Sequence, residues 1–166
     1  MERRFSIVAS LVAAAVVVAV SLNGAEGWST YDAKAFHVVG KVLCQDCSKG
    51  WNQWAHGATP IVGSKVGVTC MGPQARVLLH KSDACDRRGE FDIVVDKYVN
   101  GVEVNPEECT VRLVSSGCQN CTVMTNFNGG KDGVRLSRPS TVYPGHIAYK
   151  VGPFYFTIPK CDLPRK

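Results

Sequence analysis

Eight cysteines, at positions 44, 47, 70, 85, 109, 118, 121 and 161, constrain this chain more than any other feature. Eight allow 105 full pairings, and spacing alone chooses none of them. Cys44-Gln45-Asp46-Cys47 and Cys118-Gln119-Asn120-Cys121 are C-x-x-C units, the outline of a Cys₄ zinc site. A C-x-x-C also serves as a redox dithiol, but usually at a helix N-terminus that lowers a thiol pKa, and Cys44 follows a strand-like run. A nucleophilic cysteine needs a thiol left unpaired. The compartment decides among these readings, because disulfides persist where the medium is oxidising.

Residues 1–27 supply the compartment. Arg3 and Arg4 form a basic start, Ile7 to Val20 is an apolar run broken only by Ser10, and Ala25-Glu26-Gly27 offers small residues for cleavage. The apolar run is shorter than the ~20 residues that cross a bilayer. The segment therefore reads as a secretory signal peptide, with residues 28–166 as one mature domain. Secretion favours disulfides over zinc, redox or nucleophilic roles. No second apolar run or hydrophobic tail follows, so no stable membrane insertion is expected. Losing Glu2, Arg3, Arg4 and Glu26 leaves the net charge of +5 unchanged. Asn120-Cys121-Thr122 is a glycosylation sequon with a cysteine at its centre.

The mature chain predicts β-structure. Valine outnumbers leucine and alanine together, against the usage of helical domains. Phe36, Val38, Gly40 and Val42 alternate on one face; so do Val66, Val68 and Cys70, then Phe91, Ile93 and Val95, then Cys109, Val111 and Leu113. Arg76–His80 is a further candidate. Ile147–Val151 and Phe154–Ile158 read as two strands separated by Gly152-Pro153. Asn100-Gly101 is a hairpin turn signal. About seven short strands predict an all-β, antiparallel barrel or sandwich. Any helix falls in the Ser48–Ala58 loop.

Val39-Gly40-Lys41-Val42-Leu43-Cys44-Gln45-Asp46-Cys47 resembles the V-x-G-x-V-x-C-x-x-C signature of the pollen Ole e 1 allergen and extensin family, small secreted plant proteins. The likeness continues through Pro60–Gly63, Val66–Cys70, Cys109–Gly117, Cys121 and Pro159-Lys160-Cys161, covering about 37–161. The resemblance implies six bridged cysteines: Cys44 with Cys121, Cys47 with Cys161, and Cys70 with Cys109. Cys85 and Cys118 depart from that pattern and are expected to form a fourth bridge. The resemblance also implies a seven-stranded β-domain and no catalysis.

The residues themselves suggest no catalytic set. His37, His56, His80 and His146 show no spacing to a second His, carboxylate or nucleophile that hydrolysis requires. Asp83, Asp86, Glu90 and Asp92 cluster as turns and strand rims do. No phosphate-cradling loop, H-E-x-x-H or G-x-S-x-G is present, and no cofactor is expected. Binding is the expected role. Trp51 and Trp54, beside Lys49 and His56, suit stacking on sugars or anchoring of a protein. Arg87 and Arg88 flank a turn, and Lys131, Arg135 and Arg138 form a second basic stretch. The basic excess suits an acidic or arabinogalactan-type wall polysaccharide; a receptor ectodomain is the alternative partner and a secreted hydrolase the least favoured reading. Diffuse charge and compartment speak against nucleic acid.

Overall fold

The computed structural model describes residues 33–47 and 57–162. Twelve strands are found there: β1 (Ala35–Gln45), β2 (Thr59–Pro60), β3 (Lys65–Met71), β4 (Val77–Ala84), β5 (Glu90–Asp96), β6 (Tyr98–Val99), β7 (Val102–Glu103), β8 (Cys109–Ser115), β9 (Val123–Met124), β10 (Val134–Arg135), β11 (Thr141–Tyr143) and β12 (His146–Thr157). Five of them are two-residue pairings at sheet margins. The long strands fall where alternation predicts. Among the described residues no helix is long and apolar enough to cross a membrane. The Ser48–Ala58 helix expectation lies almost wholly outside the described residues.

Two sheets face each other, and the chain does not close into a barrel. In the first, β1 and β12 lie side by side; β5 and β2 share the far edge of β1, and β11 and β9 share the far edge of β12. The second runs β10-β8-β3-β4. β6 and β7 form a hairpin whose Asn100 and Gly101 both take positive φ, the backbone a type I′ turn requires. Pairing is antiparallel throughout except between β1 and β12, which run parallel. More than a hundred residues separate their starts, so no hairpin dictates their direction.

One boundary differs from expectation. Gly152-Pro153 does not end a strand: β12 continues through it to Thr157. Opposite it, Gly40 pairs with Val151 and Val42 with Phe154, so β12 holds one extra residue there. Gly152 takes φ +78° in this bulge. A bulge tolerates a proline that a regular ladder would not, because it removes one hydrogen bond from the pairing.

The core is the inward row of each alternation. Phe36, Val38, Val42, Phe91, Ile93, Val95, Phe154 and Phe156 of the first sheet meet Val66, Val68, Cys70, Cys109, Val111 and Leu113 of the second. Each fully buried large side chain contributes about 1.5–3 kcal/mol. The outward rows of β5 and β8, Asp92 and Asp96 on one and Arg112 and Val114 on the other, are exposed.

Three disulfides close the fold. Cys70–Cys109 joins register partners on β3 and β8, with Cα atoms 3.9 Å apart. Cys44–Cys121 ties the end of β1 to the segment after β8, and Cys47–Cys161 ties the same end to the turn at Pro159–Asp162. These are the pairs implied by the resemblance. In the chain-entropy model such loops contribute about 4–5 kcal/mol each. Cys44 and Cys121 bond to each other, so the two C-x-x-C units do not assemble a Cys₄ site.

The fourth bridge is a correction: Cys85 and Cys118 are thiols. Cys85 is hydrogen-bonded through its backbone to Gly63 and Ser64 from the β4 side. Cys118 follows Gly117, whose N–H donates to Ser64 Oγ from the β8 side. The Val62–Ser64 segment therefore stands between the two cysteines.

Candidate functional site

The predicted site residues fall in separate places. Trp51 and Trp54 lie outside the described residues, as do Lys49 and His56. Asn120 is exposed, next to buried Cys121. Arg87 and Arg88 are exposed on the corner that carries the chain from the second sheet to the first.

That corner is built by Asp86. Its Oδ1 accepts from the backbone N–H groups of Arg88 and Glu90, both at 2.8 Å. Gly89 takes φ +70° and lies so close to Val42 that a Cβ would sit 2.6 Å from its carbonyl oxygen. The Glu90 N–H, followed by the Arg88 N–H and guanidinium, holds the Asp86 carboxyl below the usual carboxylate range.

A cleft of about 710 Å³ opens beside this corner, between Val39, Lys41 and Leu43 of β1, Lys150 and Pro153 of β12, and the end of β4. Its Lys41 and Arg88 are paired with carboxylates. Arg88 pairs with Glu90 at 2.8 Å and Asp86 at 3.7 Å, and Lys41 pairs with Glu90 at 3.0 Å. Asp83 and Asp92 also line it. Arg88 therefore presents a compensated charge, while Arg87 pairs with no carboxylate among the described residues and does not line the cleft.

The second basic stretch is arranged differently. Val134 and Arg135 pair with Val111 and Thr110 on β8, and the buried Leu136 donates its N–H to the Cys109 carbonyl. Alternation then turns Arg135 outward. Ser140 hands the chain to the other sheet: its N–H and hydroxyl both donate to the Ala148 carbonyl, at 2.8 and 3.0 Å. Between this crossing segment and β12 lies a cleft of about 340 Å³.

Arg135, Arg138 and Lys150 line that cleft, all exposed, and no carboxylate does. None of the three forms an ion pair among the described residues. Asn128 and Ser137 add polar groups; the Asn128 amide N–H₂ donates to the Pro153 carbonyl at 2.8 Å, which leaves its oxygen as an acceptor. Tyr149 forms the inner wall, packed edge-on against Phe36. Burial, and secondarily Glu107, pushes its phenol above the ordinary tyrosine range, so it stays neutral. Lys131 does not line the cleft.

The sequence therefore pointed to Arg135 and Arg138 alongside Arg87 and Arg88. It missed Lys150, Asn128 and Tyr149. Lys150 had a signal: it is the outward residue between Tyr149 and Val151 in a strand expected to bury both.

Among the described residues no group of three or more His, Cys, Asp or Glu side chains is placed to hold a metal ion. No family model matches the chain. Over 131 residues, 72% of this chain, it is 34% identical to the pistil-specific extensin-like protein of Nicotiana tabacum. The chain spans only 29% of that relative's length. Among solved structures it is similar to the major plantain pollen allergen Pla l 1, with a TM-score of 0.53, 22% identity, and coverage of 75% of this chain and 94% of that one. At this level of identity the likeness is one of fold.

Proposed function

Taking the chain as the Ole e 1-like, extensin-related protein that these comparisons support, we propose that it is a secreted, non-catalytic protein of the plant cell wall that binds acidic wall polysaccharide of the pectin type. One observation carries the choice of ligand: Arg135, Arg138 and Lys150 share a cleft with no carboxylate and no ion-pair partner among the described residues. Uronate carboxylates accept bidentate hydrogen bonds from guanidinium groups, so two arginines on one short segment suit successive acidic sugars. The net charge of +5 adds long-range attraction. Nothing in this chemistry requires a bond to be made or broken.

The larger cleft, beside Asp86, favours a second reading. Its paired Lys41, Arg88 and Glu90 over Val39 and Leu43 suit an uncharged galactan or arabinogalactan chain, whose hydroxyls bond to fixed donors and acceptors. Titration with polygalacturonate and with neutral galactan at low and high salt separates the two. The proposal expects polygalacturonate to bind and to weaken steeply as salt rises. Salt-independent binding of galactan alone would transfer the function to the other cleft. Binding of neither would reject a polysaccharide role and leave a receptor ectodomain as the partner to seek.

A further inference from the structure

A pair of histidines on the solvent face of the first sheet has chemistry that the polysaccharide cleft does not use. β1 and β12 run parallel with His37 opposite Ala148, so His146 stands two residues away on the same face. The two imidazole rings are 4.6 Å apart between centroids, with their planes at 42°. His37 is partly open to solvent, at 27% of its side-chain surface. His146 makes no hydrogen bond through its ring to another described residue.

Asp92, on the neighbouring β5, completes the arrangement. Its Oδ1 lies 2.8 Å from His37 Nδ1. A carboxylate only accepts, so Nδ1 carries the proton and donates it to Asp92. The neutral ring then keeps its lone pair on Nε2, away from Asp92. A carboxylate holding the far nitrogen in this way is the usual support of a metal-binding histidine, fixing both tautomer and ring orientation.

We propose that His37 and His146 form a two-histidine site for a divalent late transition ion, copper(II) or zinc(II), with Asp92 as the positioning residue of His37. Rings 4.6 Å apart place the second imidazole beside the first, where it can supply the second nitrogen to an ion bound at His37 Nε2. No third side chain joins as a ligand among the described residues, since Asp92 is committed to Nδ1. Water fills the remaining coordination positions, and an outside carboxylate can replace it. Imidazole donors suit copper and zinc, and the general order of divalent affinities puts copper(II) above zinc(II) and manganese(II) at the bottom.

The test uses the mature protein with its three disulfides intact and the Cys118 thiol blocked by alkylation, stripped of metal with a chelator and titrated calorimetrically with copper(II), zinc(II) and manganese(II) salts. One copper(II) per chain is expected, binding more tightly than zinc(II), with manganese(II) undetected. His37→Gln and His146→Gln are each expected to weaken copper(II) binding at least about tenfold, and Asp92→Ala about 10–100-fold. His80→Gln, on β4 and bonded to Thr69, is expected to change nothing. Long-range nitrogen–proton NMR of His37 is expected to show the Nδ1–H tautomer in the native chain and to lose it in Asp92→Ala, a readout that a purely structural role for Asp92 does not move. Near-UV circular dichroism verifies that each variant is folded. Copper(II) binding unchanged in both histidine variants, or absent from the native protein, would overturn the proposal.

Discussion

Lys81 of β4 reaches Asp96 of β5 at 2.9 Å and also donates to the Val94 carbonyl at 3.0 Å. β4 and β5 belong to different sheets, so one side chain fastens the seam where the sandwich stays open. The opposite seam, between β10 and β12, is held by uncharged bonds, Asn128 to the Pro153 carbonyl and Ser140 to the Ala148 carbonyl, and carries the basic cleft. The two margins of the same sandwich thus differ in whether their cations are satisfied.

The first prediction concerns that seam. The Lys81 hydrogen bond, then its charge, holds the Asp96 carboxyl below the ordinary carboxylate range. A depressed folded-state value stabilises the fold above the unfolded value, about 3.9, and the contribution is lost as pH falls through the folded value. Lys81→Ala is expected to lower Tm at neutral pH, and the gap from the native protein is expected to narrow in acid and in high salt. The remaining gap reflects the bond to Val94, which does not titrate. A gap constant from pH 7 to below pH 3 would contradict the pairing.

The second concerns the free cysteines. Burial first, then the nearby carboxylates Asp83 and Asp86, pushes the Cys85 thiol up to about 12. A thiol reacts as its thiolate, so Cys85 is expected to resist alkylation in the folded protein at pH 8. Cys118 is half-exposed and is expected to react first. Peptide mapping without reduction is expected to find three bridges and two thiols. A Cys85–Cys118 peptide would contradict the structure.

The third concerns the core. Phe154 is wholly buried and stacks parallel to Phe91, with ring centroids 6.3 Å apart. It lies just beyond the β12 bulge, so it also locks the shifted register. Phe154→Ala is expected to cost about 3–5 kcal/mol in denaturant unfolding. A cost below 1 kcal/mol would mean that β12 is not a core strand.

Much of this was legible in the residues. Alternation in 36–42, 91–95 and 109–115 marked both the strands and their buried faces, because a two-residue period has one structural meaning when one face is apolar. Gly152-Pro153 misled, since the same dipeptide punctuates a turn and fills a bulge; only the partner strand distinguishes them. The parallel β1/β12 pairing joins the two ends of the domain and leaves no local trace. The choice between the two basic stretches turned on neighbours. Asp86 and Glu90 flank Arg88 within two residues, a hint of neutralisation that the sequence did contain. That Arg135, Arg138 and Lys150 converge is a fact of β10, the crossing segment after it and β12 in the other sheet, which no spacing records.

The central claim is that this unpaired basic cleft binds the polymer. Its most direct test is the affinity of polygalacturonate for the native protein, for Arg135→Ala/Arg138→Ala and for Arg87→Ala/Arg88→Ala, at low salt. The first double variant is expected to bind at least about tenfold more weakly, ~1.4 kcal/mol, while the second binds as the native protein does. Equal binding by the native protein and Arg135→Ala/Arg138→Ala, or a loss confined to Arg87→Ala/Arg88→Ala, would contradict it.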